Sequence, residues 1–214
     1  MRIYLCDEKV KQNNIMAYNK YPNQFNIKFG EYFSRYGRAF AKNFSGILPD
    51  GARVLSLGSG PGHAEKYFQD KGFRVICVDN STEMIKICEH KGLEGRTMDM
   101  EEIDKIFEAE IFDGLWAHTS LLHIRKKNVP RMIGKIAQVL KKGGLFALGL
   151  IDGNNEDYDY HPDYPGVKRW FSYFRDEEIV ELCKTHFDPV YSRREETKGK
   201  RRNYIFLKYI LRKK

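Results

Sequence analysis

Short apolar runs alternate with amphipathic stretches through most of this chain, and the alternation sets in at a Leu48-Pro49-Asp50-Gly51 turn. A strand is predicted over 53–57, then a helix over 63–70 that stops at Gly72, and a second strand over 73–78. Asn80-Ser81-Thr82-Glu83 has the short polar cap and following glutamate that open a helix, which ends before Gly92. A weak strand over 95–98 and a stronger one over 112–117 follow. A helix over 129–140 stops at Gly143-Gly144, and a strand covers 145–150. Residues 152–168 form a long loop crowded with Asp, Asn and Tyr, the kind of loop that compact domains keep for function. A helix over 176–184 and strands over 188–193 and 203–211 close the chain.

Five strands alternating with helices predict an α/β fold, a Rossmann-like doubly wound sheet covered on both faces. It is mostly parallel, with a C-terminal antiparallel hairpin bringing the total to seven strands. Upstream, residues 1–30 are polar yet carry Tyr4, Tyr18, Tyr21, Phe25 and Phe29, and Tyr32, Phe33, Tyr36, Phe40, Phe44 and Ile47 recur at helical spacing. Residues 1–47 are therefore expected to form a helical, aromatic-rich lid on a domain spanning 48–214.

The first strand runs Val54-Leu55-Ser56-Leu57 into Gly58-Ser59-Gly60-Pro61-Gly62. Glycines there let the backbone approach a ligand and take dihedrals closed to other residues. Asp79 ends the next apolar run, Val75-Ile76-Cys77-Val78. A glycine turn between strand and helix, followed about 20 residues later by a carboxylate, is how a βαβ unit holds a nucleoside.

Composition narrows the setting. In 214 residues, 42% hydrophobic, there is room for one domain with a sizeable core. The longest apolar runs are too short to span a bilayer, and Asp7-Glu8 comes too early for a signal peptide. Cys6, Cys77, Cys88 and Cys183 have neither metal-ligand nor redox spacing, which is expected of free thiols in a cytoplasmic protein, and no metal site is expected. The net charge of +8 sits within residues 192–214, where ten Lys or Arg face two Glu. A solvated hairpin and tail is the expected reading; a polyanion-binding patch is the alternative.

The order of motifs resembles class I S-adenosylmethionine-dependent methyltransferases. The likeness runs from Leu48 to the C-terminus: one glycine turn and no room for a second substrate domain. Phe112-Asp113-Gly114-Leu115-Trp116-Ala117-His118-Thr119 is similar to the fourth-strand segment of small-molecule methyltransferases, those related to tellurite resistance included, and Lys141-Lys142-Gly143-Gly144 precedes the fifth strand. The resemblance implies S-adenosyl-L-methionine as cofactor and S-adenosyl-L-homocysteine as product. It places Gly58, Ser59, Gly60 and Gly62 at the methionine part, and Asp79 at the ribose hydroxyls. Asn80, Ser81 and Met84 would flank ribose and adenine, and Asp99, Met100 and Glu101 would sit at the adenine. Ala117, His118 and Leu122 would line the floor near the sulfonium, and Tyr18 and Tyr21 would close over it or, alternatively, only pack their helix against the domain. Such enzymes usually carry an acidic residue two positions before the first glycine, where this chain has Ser56; the contact to the cofactor's amino group must be weaker or supplied elsewhere.

Methyl transfer from a sulfonium needs aligned reactants more than a reactive side chain. His118 and His123 follow the fourth strand at the mouth of the sheet and are candidate proton acceptors, with a hydrogen bond to a loop carbonyl or a part in shaping the pocket as the alternative. Arg169 is a candidate clamp for an acceptor carboxylate or phosphate, with an ion pair to a loop aspartate as the alternative. The expected activity is methylation of a small molecule by a monomer or homodimer. An RNA or protein methyltransferase docking through the basic C-terminus, and a cofactor-binding regulator without catalysis, are the competing readings.

Overall fold

The computed structural model describes residues 2–198 and 203–214; the side chains of Tyr4 and Cys6, and Arg201 and Arg202 at the basic turn, lie outside the described residues. Helices α1 (Arg2–Lys20) and α2 (Pro22–Tyr32) are followed by a π-helical turn, Phe33–Gly37, that runs on into α3 (Arg38–Ser45). The βα series then begins: β1 (Arg53–Leu57), α4 (His63–Asp70), β2 (Arg74–Asp79), α5 (Thr82–His90) and β3 (Glu94–Thr97). After a short helix α6 (Ile103–Ile106) come β4 (Phe112–His118), α7 (Val129–Val139) and β5 (Leu140–Ile151). A ribbon of β6 (Glu156–Asp159) and β7 (Arg169–Ser172) precedes α8 (Asp176–Cys183), and β8 (Phe187–Thr197) and β9 (Tyr204–Lys213) end the chain.

Seven strands form one sheet in the order β3-β2-β1-β4-β5-β9-β8. Pairing is parallel as far as β5 and antiparallel at β9 and β8. The doubly wound sheet with its terminal hairpin is the expected one. Successive side chains on a strand point to opposite faces, and both faces are packed. Leu55, Leu57, Leu115, Phe146 and Leu148 meet α7 and α8 through Ile133, Ile136 and Ile179 on one side. Val54, Trp116 and Ala147 meet Phe40, Phe44 and Phe68 of α3 and α4 on the other.

Residues 2–32 are helical almost throughout, in keeping with the expected helical segment, although α1 buries few apolar side chains, Val10 and Ala17 among them. Two differences from the sequence reading have physical causes. The loop over 152–168 contains a strand, β6, whose residues pair with β7 (Tyr158 opposite Trp170), and this ribbon gives the segment backbone partners of its own. The expected stop at Gly143-Gly144 falls inside β5: the register jumps from Phe112–Leu140 to Gly114–Leu145, with Gly143 at φ +74°, so the extra residues leave the ladder as a bulge. Within the segment expected as a lid, α3 is part of the sheet's core, while α1 and α2 cross the open end of the sheet.

Candidate functional site

A cleft lies at the carboxyl ends of β1, β2 and β4, where ligands enter open α/β sheets. Its floor is the turn after β1. Gly58, Gly60 and Gly62 have φ of +63°, +54° and +76°. A Cβ on Gly58 would stand 2.4 Å from Ser120 Cβ, so only glycine lets the turn lie against the loop after β4. Gly62 faces elsewhere: a Cβ there would meet Leu93 and Cys88, which makes it a packing residue between α4 and α5.

Asp79 ends β2 and ties the turn down. One oxygen accepts the Gly60 N–H at 2.9 Å and the other the Ser81 N–H at 2.8 Å. Burial raises its pKa, and the two N–H donors oppose the rise. Each oxygen keeps a lone pair for a ligand hydroxyl. Ser81 caps α5 by accepting from the Met84 N–H (3.2 Å), and its hydroxyl donates to Asn19 of α1 at 2.7 Å. Met84 itself is fully buried with Phe25 and Tyr164 and does not line the cleft.

Beyond β3, Asp99 accepts the Glu101 N–H at 2.9 Å, and with Glu101 it holds Lys11 of α1 at 2.6 and 2.5 Å. Those two carboxylates hold the Lys11 ammonium well above the usual lysine pKa. Asp99, Met100 and Glu101 all border the cleft, as do Ser59, Asn80 and Tyr18. Tyr21 does not; its hydroxyl donates to the Pro165 carbonyl at 2.7 Å.

On β4 the two-residue period separates neighbours that the resemblance took together. Trp116 and His118 face the cleft, whereas Ala117 points into the opposite core, and Leu122 is buried in that same core. His118 stacks on Trp116 with ring centroids 5.5 Å apart, and its Nε2 lies 3.4 Å from the Tyr32 hydroxyl. Burial, with Lys208 nearby, pushes its pKa down to about 3. His123 is also pushed down to about 3, chiefly by burial. Its Nδ1 is 2.7 Å from the Trp170 carbonyl, which only accepts, so Nδ1 carries the proton; Nε2 then accepts from the Tyr18 hydroxyl at 2.7 Å. Both nitrogens of His123 are thus committed to holding α1 against β7. Asn14 adds to that joint by accepting the Trp170 N–H at 2.7 Å.

Arg169 stands outside the cleft. Its guanidinium lies over Phe171, Phe25 and Tyr164 at 4.9, 5.1 and 5.6 Å, and reaches Asp159 at 3.7 Å. It joins the ribbon to α1 and α2, so the ion-pair alternative describes its position and the clamp does not. Residues the sequence reading missed include Glu65, Ser120 and the α1 side chains Asp7, Lys11 and Asn14. Glutamate in the first turn of a helix is too ordinary to signal a ligand, and α1 touches the cleft through polar residues that follow no apolar period.

The donor set fits a nucleoside carrying an amino-acid arm. Ser120 Oγ is buried at the cleft without a hydrogen-bond partner, the Gly58 and Gly60 backbone lies open beside it, and Asp79 offers two oriented oxygens. Among the described residues no cluster of His, Cys, Asp or Glu fits a metal ion, and no helix is long and apolar enough to cross a membrane.

Known proteins place this architecture. An uncharacterised protein of Methanocaldococcus jannaschii is 29% identical over 174 residues, 78% of each chain. The DhpI–SAH complex superposes with a TM-score of 0.74 at 17% identity, covering 95% of this chain and 97% of that one. A Burkholderia thailandensis 1,6-didemethyltoxoflavin-N1-methyltransferase with bound 1,6-didemethyltoxoflavin and S-adenosylhomocysteine gives 0.63 at 23% identity, over 90% of each chain. The methyltransferase-domain family is matched over residues 55–148, the stretch from the glycine turn to the fifth strand. The fold is thus one shared with solved S-adenosylmethionine-dependent methyltransferases, and strands β1 to β5 carry the match to the methyltransferase-domain family.

Proposed function

We propose that this enzyme methylates a small-molecule acceptor bound between α1–α2 and the face of β4. The observation that carries the reading is the cover. Tyr18–His123 and Asn14–Trp170 hold α1 across the cleft, and beneath it Tyr32, Phe33, Trp116 and His118 wall a compact aromatic end. A folded macromolecule has no straight path to that end, whereas a metabolite fits beneath the cover. The Burkholderia relative, by its name, acts on such a molecule.

Bound S-adenosylmethionine supplies an electrophilic methyl group on a sulfonium. The protein's part is alignment and exclusion of water, which can lower the barrier by roughly 7–11 kcal/mol. Asp79 and the glycine turn orient the nucleoside, Ser120 offers a free hydroxyl beside them, and the rings of Tyr32, Phe33 and Trp116 present apolar faces to the acceptor. His118 and His123 remain neutral through the physiological range, and His123 has no nitrogen left for a substrate proton. Positioning therefore carries the reaction, and the favoured acceptor atom needs no strong base to become nucleophilic.

The described part of the basic C-terminus gives the macromolecular reading little support. Arg193, Arg194, Lys208, Lys213 and Lys214 each face a carboxylate within the protein. The test is S-adenosylhomocysteine formation by purified protein with a low-mass metabolite filtrate and, separately, with RNA plus protein. Turnover confined to the filtrate is expected; turnover confined to the macromolecules would overturn the proposal.

A further inference from the structure

Glu65 is a buried carboxylate at the cleft that no cation among the described residues pairs with. It is 2% exposed, in the first turn of α4 directly after the glycine turn, and it borders the cleft. Its Oε1 accepts the Ser56 hydroxyl at 2.6 Å, from the strand on the other side of that turn. Apart from this hydroxyl and its own backbone N–H it has no donor, and no ion pair joins it to a cation among the described residues. The nearest cation to influence it, Lys91, is committed to the Pro61 carbonyl and to Asn26. A buried carboxylate without a partner is costly, and a ligand cation removes that cost.

We infer that Glu65, held by Ser56, is the residue that receives the α-ammonium of the bound S-adenosylmethionine. The anion comes from helix α4, and β1 contributes only the hydroxyl that orients it. This rests on the cofactor assignment and extends it to a residue with no place in the family motif. Two observations support it independently: the short Ser56–Glu65 bond, made by a serine fully buried in β1, and the missing counter-charge. The arrangement also accounts for a carboxyl group whose pKa burial pushes up to about 7 in the free protein. Lys91 opposes that rise and Asp79, at the end of β2, adds to it. An ammonium seated against Glu65 reverses it, so binding releases a proton near neutral pH.

Calorimetry separates this role from a purely structural one. S-adenosylhomocysteine and its analogue with hydrogen in place of the α-amino group are titrated into the wild type, Glu65→Gln, and the double variant Ser56→Asp/Glu65→Gln. Glu65→Gln keeps the side chain's size and a hydrogen-bond partner for Ser56. It is expected to lose roughly 10- to 100-fold in affinity for S-adenosylhomocysteine and to bind the analogue as the wild type does. The double variant, with a carboxylate returned on the strand, is expected to regain preference for the amino ligand. Equal weakening of both ligands by Glu65→Gln, or a wild type that does not distinguish them, would overturn the inference while leaving the cofactor in place. A wild type that binds neither ligand would remove the cofactor assignment and this inference together.

Discussion

The two walls of the cleft are held by different physics. The sheet side rests on apolar burial: Val54, Leu55, Leu57, Leu115 and Phe146 are all fully buried, with helices on both faces. The α1 side buries Val10 and Ala17 but meets the rest of the protein through Lys11–Asp99, Asn14–Trp170, Tyr18–His123 and Asn19–Ser81. Apolar packing is lost only when the domain unfolds. Hydrogen bonds and ion pairs exchange for water at small net cost, about 0.5–1.5 kcal/mol each. A stable half and a releasable half thus share one site, and local opening belongs to the second.

The comparison breaks most sharply at Gly58. Gly58→Ala places a Cβ against Ser120 at a φ that favours glycine, and should cost roughly 2–5 kcal/mol through strain and overpacking together. Denaturant melts should show a large loss of global stability, and a change under 0.5 kcal/mol would mean that the turn yields easily. Next comes Asp79→Ala, which removes the acceptor for Gly60 and Ser81 and frees the turn without disturbing the core. Affinity for S-adenosylhomocysteine should fall by roughly 1.5–3 kcal/mol for each charged hydrogen bond lost. Unchanged affinity would displace the ribose from this position.

Acid should sharpen the contrast by acting on the cover. His123 is held near 3 when buried and returns to about 6.5 when α1 lifts away, so the open form binds the extra proton. Opening is then favoured progressively as pH falls below about 6.5, by at most about 1.4 kcal/mol per pH unit, and is independent of this group above it. The Tyr18 hydroxyl, the Trp170 carbonyl and Arg169 face that ring, and none of them changes charge in this range. With the intrinsic pH dependence of exchange divided out, amide protection in α1 should fall between pH 6 and 4 in the wild type, and His123→Gln should flatten that slope; parallel slopes would assign the proton elsewhere. The smallest effect is expected of Lys11→Ala. Its pair with Asp99 and Glu101 is partly exposed and worth under about 1 kcal/mol, and added salt should narrow the difference in α1 exchange.

This division also explains what the sequence made legible. Strands β1, β2, β4 and β5 and helices α4, α5 and α7 come from apolar periods that burial on both faces demands, and their bounds are off by a residue or two except where β5 starts. Asp79 and the glycine turn carry a spacing that few other arrangements produce. Trp116 was visible only through strand alternation, which the family pattern obscured by grouping Ala117 with His118. The contribution of α1 was hidden because Lys11, Asn14 and Tyr18 meet partners more than 80 residues away, and polar matching of that kind leaves no period in either segment. Arg169 misled for a related reason: its use as an aromatic-stacked joint is written in Phe25, Tyr164 and Phe171, far apart in the chain.

The π-helical turn at Phe33–Gly37 lies on the boundary between these two halves. Upstream of it the helices serve the cleft; downstream, Phe40 and Phe44 are anchored under the sheet. A turn with an extra residue is wider and less tightly bonded than its neighbours, which makes it a crease in an otherwise continuous rod. The crease lets a single stretch of chain serve two ends at once, a door across the cleft and a post set in the wall beneath the sheet.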